Sequence, residues 1–209
     1  MTNPLADFFA DVARLEPIEQ DDRTANRILD GALAESAANG LNSLSIEGVA
    51  RRAGVNRVTI YRRFGDRDAL FAALAAREGH RMSAALLDAV ADITDPVERL
   101  VEGFLAALRY ARTHPLILRA SQVEPEALIA AGLANDSALL RIGALFLAEG
   151  IRDAQQSRGT SHVAPEQAGE TLARLFASFV LLPGGELDPS NEELMRYYAR
   201  STLIPMLVG

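Results

Sequence analysis

The 209-residue chain contains no cysteine, which excludes a disulfide framework, a thiolate nucleophile and a thiolate metal site. It also lacks lysine, so all 21 of its positive side chains are arginines, a bias we attribute to genome base composition rather than to mechanism. Long apolar runs are missing too. FASFVLL, at 176–182, is among the longest and falls far short of the ~20 residues a bilayer span requires. The acidic start has no basic segment of the kind that opens a signal peptide, so a cytoplasmic protein is expected. Enzyme signatures are scarce. His80, His114 and His162 are far apart and show no HxxxH or ExxH spacing, and no GxSxG, phosphate loop or dinucleotide fingerprint occurs. No metal, cofactor or catalytic residue is expected, and the histidines read as surface or capping residues.

Charge is unevenly spread. The whole chain carries 28 acids against 21 arginines, a net charge of −7 that would repel nucleic acid in bulk. Residues 43–67 reverse this, with six arginines (Arg51, Arg52, Arg57, Arg62, Arg63 and Arg67) against Glu47 and Asp66, a local balance of +4. Residues 82–209 return to −6. A cationic footprint on one patch of an acidic chain suits a DNA-binding head on a body with another task.

The stretch SIEGVARRAGVNRVTIYRRFGDRDALF, from Ser45 to Phe71, has the makings of a helix-turn-helix. Ser45 can cap a first helix and Glu47 can face the positive end of its dipole, although Gly48 stands where a capping box would need Glu or Gln. Ile46, Val49, Ala50 and Ala53 give a short apolar face, and Ala50 is small enough for close helix approach. Gly54 marks the stop, Val55 fills the space under the turn, and Asn56 caps the next helix. In that second helix Ile60 and Phe64 face inward. Arg57, Val58, Thr59, Tyr61, Arg62 and Arg63 are left largely outward, on a face with no acid and the composition to meet an anion.

From about Arg23 to Arg77 the sequence resembles the DNA-binding domain of the tetracycline-repressor (TetR) family of bacterial transcriptional regulators, through RILDGALAESAANGLNSLSIEGVARRAGV followed by TIYRRFGDRDALF. The resemblance implies that the helix from Arg57 to Phe64 enters the major groove. Arg57 would donate to guanine, Val58 and Thr59 would touch a thymine methyl or a base edge, and Tyr61 matches a phosphate-contacting tyrosine. Arg62 and Arg63 stand where the family has aromatic or histidine residues near the backbone. Arg67, at the start of the following helix, would hold a phosphate. With Ser45 and Asn56 at the two caps, these residues make up the candidate DNA-binding set.

Elsewhere the apolar period is helical throughout, so the expected class is all-α, a three-helix head followed by a helical bundle. Helices are expected at 23–40, from Asp66 through Val90, from Asp95 to about His114, and at about 115–121, 124–133, 136–158, 165–182 and 190–207. The expected organisation is an extension at 1–20, a helix-turn-helix domain at 21–66 and an effector-binding and dimerisation domain at 67–209. In the extension Leu5, Phe8, Phe9, Val12 and Leu15 suggest a short amphipathic helix docking on the chain's own body or on its partner, rather than a membrane-surface anchor, whose polar face would not be acidic.

Two further expectations depend on the resemblance. The last two helices would pair with their twofold mates as a four-helix bundle, through Leu172, Leu175, Phe179, Leu194, Tyr197, Tyr198 and Ser201. That homodimer would address a pseudo-palindromic operator. An apolar cavity lined by Phe104, Leu108, Leu118, Leu145, Phe146 and Phe176 would take a small apolar or amphiphilic effector, with Tyr110, Arg119, Gln122 and Arg174 as polar anchors. The expected function is a dimeric DNA-binding repressor released by that ligand. A ligand-independent helical adaptor and a small helical-bundle enzyme are the competing classes, and both would require the arginine face to be incidental.

Overall fold

The computed structural model describes residues 22–40, 44–160 and 163–209; the expected amphipathic extension at 1–20 and His162 lie outside them. Among the described residues every regular element is helical: α1 (Arg23–Asn39), α2 (Ile46–Ala53), α3 (Arg57–Phe64), α4 (Arg67–Ala89), α5 (Pro96–Thr113), α6 (Pro115–Val123), α7 (Pro125–Arg158), α8 (Pro165–Leu181), α9 (Glu192–Tyr198) and α10 (Ile204–Leu207), the last two joined by a π-helical turn at Ala199–Leu203. The chain divides into two compact units. One comprises the described residues up to Arg81 together with His114–Leu128, and the other comprises Met82–Thr113 and Ile129–Gly209. The first unit thus gathers α6 with the amino-terminal helices, although the sequence suggests a single division near residue 66.

In the first unit Ile28, Leu29 and Ala32 from α1 meet Val49, Ala50 and Ala53 from α2, Ile60 from α3, and Leu70 and Leu74 from α4. Gly31 lets α1 and α2 cross closely, since a Cβ there would sit 3.1 Å from both the Val49 carbonyl oxygen and the Ala53 nitrogen. A polar cluster lies beside this core. His114 caps α6, its Nδ1 accepting the Ile117 N–H at 3.4 Å, while Nε2 lies 3.3 Å from Glu78 Oε2 on α4. Burial pushes the Glu78 carboxyl up, but hydrogen bonds from His114 and Arg77 and the charges of Arg77 and Arg81 outweigh it and hold the group below its ordinary value.

The second unit is built on Val97, Val101, Phe104, Leu105 and Leu108, five buried residues recurring along one side of α5. They pack with Ile151 and Ala154 of α7, Leu172 and Phe179 of α8, and Met195, Leu203 and Leu207 at the carboxyl end. Gly169 sets the closest helix approach, because a Cβ there would lie 2.3 Å from the Ala144 carbonyl oxygen and 2.9 Å from the Ala148 nitrogen. Three ion pairs lace α5 to the last helices: Glu102 with Arg196, Arg109 with Glu192, and Glu98 with Arg200.

Two boundaries differ from the sequence expectation. The expected helices at 124–133 and 136–158 are one 34-residue helix, α7, because Asn135, Asp136 and Ser137 lower helix propensity without removing a backbone donor. The expected helix at 190–207 starts at Glu192, capped by Asn191, and widens into the π turn before Pro205. Proline has no N–H to give the Ser201 carbonyl and its ring would clash there; the Ile204 N–H instead reaches back to the Ala199 carbonyl.

Candidate nucleic-acid interface

The helix-turn-helix is α2, its glycine turn and α3. Ser45 caps α2, its hydroxyl oxygen accepting the Gly48 N–H at 2.9 Å. An acid from another helix meets the hydroxyl of the cap residue. Glu35, buried on α1, accepts from the Ser45 hydroxyl at 3.3 Å and from Arg52 Nε at 2.7 Å. Gly48 makes room for it, since a Cβ would fall 1.9 Å from Glu35 Oε1. The hydrogen bond from Arg52 holds the Glu35 carboxyl below its ordinary value against the opposing effect of burial.

At the other end of α2, Gly54 takes the left-handed conformation (φ 63°) that a Cβ disfavours. Arg27 reaches from α1 to donate to the Ala53 carbonyl at 2.6 Å and so covers an open helix end. Asn56 then caps α3, accepting the Thr59 N–H at 2.8 Å and the Thr59 hydroxyl at 2.9 Å. These contacts anchor an eight-residue helix whose only fully buried side chain is Ile60.

The remaining face is open. Val58 is 72% exposed and Tyr61 49%, and Arg57, Arg62, Arg63 and Arg67 are all exposed. An exposed valine between arginines has no packing role, whereas apolar contact with a thymine methyl would use it. Thr59 is half-buried and its hydroxyl is engaged by the cap, which leaves its methyl as the available group. Three of the patch arginines are ion-paired within the head: Arg52 with Glu35, Arg57 with Glu47, and Arg63 with Asp22, the residue that caps α1. Arg51 and Arg62 extend the exposed cationic surface.

The model of the bacterial regulatory proteins, tetR family, matches residues 28–74, which span α1 through α3 and the start of α4. Residues 28–74 are thus similar to a tetR-type DNA-binding segment. The capped α2–α3 pair lies inside the matched segment, and the family described by that model is one of regulatory proteins. Over 93 residues the chain is 34% identical to an uncharacterized HTH-type transcriptional regulator of Mycobacterium tuberculosis, a match covering 44% of this chain and 46% of that protein; the chain thus spans about half the length of this curated relative.

Solved structures extend the likeness in fold to nearly the whole chain. One concerned with control of antibiotic production by bacterial hormones covers 91% of this chain and 100% of its own at 20% identity, with a TM-score of 0.70. The fatty acid degradation regulator FadR from Bacillus halodurans covers 88% and 98% at 17% identity, with a TM-score of 0.68. AibR, solved with isovaleryl coenzyme A and operator DNA, covers 89% and 98% at 18% identity, with a TM-score of 0.59.

The other candidate residues are placed less uniformly. Phe104 and Leu108 are buried in the core of the second unit, and Phe176 packs against it. Phe104 meets Phe179 edge-on with ring centroids 6.1 Å apart. These positions take part in the packing of that core. Tyr110 and Phe146 are half-buried and Leu145 is exposed. Arg174 is exposed and turned to Glu170 one turn back on its own helix, because a guanidinium on that face finds a carboxylate nearer than any interior. Leu118, Arg119 and Gln122 belong to the first unit, with Leu118 and Gln122 exposed. A cleft of about 260 Å³ in the second unit is lined by other residues, among them Val97, Glu98, Arg158 and Arg200.

The carboxyl-terminal stripe divides in two. Leu172 and Phe179 are buried within the chain's own core, Leu175 and Tyr198 pack against it, and Phe179 meets Tyr198 edge-on at 6.1 Å. Leu194 is half-buried. Tyr197, 71% exposed, and Ser201 look outward, as do Leu182 and Met206. Of the stripe that the resemblance assigned to a partner surface, the chain's own core takes Leu172 and Phe179.

Among the contacts that sequence reasoning missed, Glu35 had a legible signal, since it lies on the Ile28, Ala32 and Ser36 stripe where a solvated acid would be out of place. Arg27 had none. Its role follows from where α2 ends in space.

Proposed function

We propose that this chain is a DNA-binding transcriptional regulator that acts as a homodimer on a pseudo-palindromic operator in the cytoplasm, most simply as a repressor relieved by a small ligand. The observation that carries the reading is the outer face of α3, where Arg57, Val58, Tyr61 and Arg62 are exposed on a helix held at both ends by caps. The TetR-family match over the same helices supports it. Arg57 and Val58 read base edges, Tyr61 and Arg67 hold phosphates, and Ser45 and Asn56 fix the helix starts. A twofold dimer would set two such helices about one DNA turn (~34 Å) apart. The exposed Leu182, Tyr197, Ser201 and Met206 supply a surface for it.

For the ligand, the structures of AibR with isovaleryl coenzyme A and of a fatty acid degradation regulator favour an acyl or otherwise amphiphilic molecule. Since Phe104, Leu108 and Phe176 lie in packed surroundings, such a molecule would enter by parting them, and would act by binding better to a state unable to grip the operator. The helix α4, which runs on from the head beyond Arg81, is the proposed lever.

Selection of bound fragments from the source genome tests the reading directly. A discrete site should emerge, and Arg57→Ala with Tyr61→Ala should abolish its selection while leaving the thermal transition and the oligomeric state in place. Equal recovery of fragments by the wild type and the double variant would rule the regulator out.

A further inference from the structure

Within the arginine-rich turn, one acid faces the residue assigned to base reading. Glu47 lies in the first turn of α2 and Arg57 is the first residue of α3; Arg57 Nη1 donates to Glu47 Oε1 at 2.5 Å. The side chains are 62% and 63% exposed, so packing does not force them together, and such a pair contributes little to folding stability. Its effect falls on the guanidinium. With Nη1 held, the edge formed by Nε and Nη2 remains for two parallel hydrogen bonds to N7 and O6 of guanine. A phosphate, by contrast, must compete with the carboxylate for Arg57 and approach a second negative charge.

We propose that Glu47 is a positioning residue that sets base specificity, presenting Arg57 to guanine and withholding it from phosphates. The inference rests on the DNA-binding reading above and deepens it. The carboxylate weakens contact with every duplex, but only a duplex with guanine in register recovers the loss through the oriented fork. Arg63, whose carboxylate partner Asp22 is the cap of another helix, serves the head's structure instead.

The test compares the selected genomic site with a random duplex, measuring both affinities over a series of salt concentrations for the full chain. Glu47→Gln should raise affinity for random duplex about fivefold or more and change the selected site less. Its nonspecific salt slope should steepen by about one, as the released Arg57 gains a phosphate. In an Arg57→Ala background the same change should leave the specificity ratio where it was, which a purely structural role for Glu47 would not produce. Arg57→Lys, which keeps the charge and loses the fork, should lower the ratio without weakening random binding. An unchanged ratio and salt slope in a folded Glu47→Gln protein would overturn the inference while leaving the DNA-binding reading intact. An equal loss of both affinities would likewise overturn it. A wild-type protein with no preference for any duplex would remove both readings.

Discussion

Glu35 shows what a departure from a local rule makes room for. Glycine at the third position of α2 departs from the capping box, and the space it leaves takes an acid from α1 that accepts from the Ser45 hydroxyl and from Arg52. Because its carboxyl is held below the ordinary 4.5, first by the Arg52 hydrogen bond, the folded state favours the charged form. The stabilisation is therefore complete above the unfolded value and is lost as pH falls through the lowered one. Unfolding free energies of the wild type and Glu35→Gln in urea should differ at neutral pH by about 1.5–3 kcal/mol, the range for a hydrogen bond to a charged group. That gap should close on acidification below pH 4.5. A gap that persisted in acid would show that shape, not charge, makes the contact.

Helix starts and stops are set by short-range chemistry, so Ser45, Gly54, Asn56, Asp66 and Asp95 are legible in the sequence and do in the structure what their side chains suggest. Helix pairing is another matter. Gly169 reads as an unremarkable residue of α8, yet it is where α8 meets the backbone of α7. Gly169→Ala should therefore destabilise the second unit by about 1–3 kcal/mol despite alanine's better helix propensity, because backbone and not a movable side chain occupies the space. Thermal melting checks this; a stabilised variant would mean the two helices can separate freely. The π turn before Pro205 follows the same division, as the proline is evident in the sequence but the widening that accommodates it is a property of the folded helix.

For the molecule as a whole, charge is unevenly distributed along the chain. The head's local balance of +4 sits on a chain of net −7, so association with DNA should fall steeply with salt, as expected when arginines displace condensed counterions. On the proposed dimer, Tyr197 is the residue to change, being exposed and free of the core that claims Leu172 and Phe179. Tyr197→Asp should shift sedimentation toward the monomer and weaken operator binding, with the melting transition of the chain retained. A variant that stayed dimeric at micromolar concentration would place the interface elsewhere. The candidate ligand residues were the least legible, since an apolar residue that lines a cavity and one that fills a core have the same spacing along a helix.

Sequence alone determined the class of element, most helix ends, the cationic face of α3 and the family likeness of residues 28–74, because each of these depends on residues within a few turns of one another or on a fixed order of many positions. Tertiary structure decided what lies between distant segments: that Glu35 meets the cap residue of α2 and Arg52, that Arg27 closes its other end, that Glu47 holds Arg57, and that Phe104, Phe179 and Tyr198 are spent on one core. The reason is physical. Capping and periodicity act along the chain, whereas ion pairing and packing depend on distances that exist only after the helices have met.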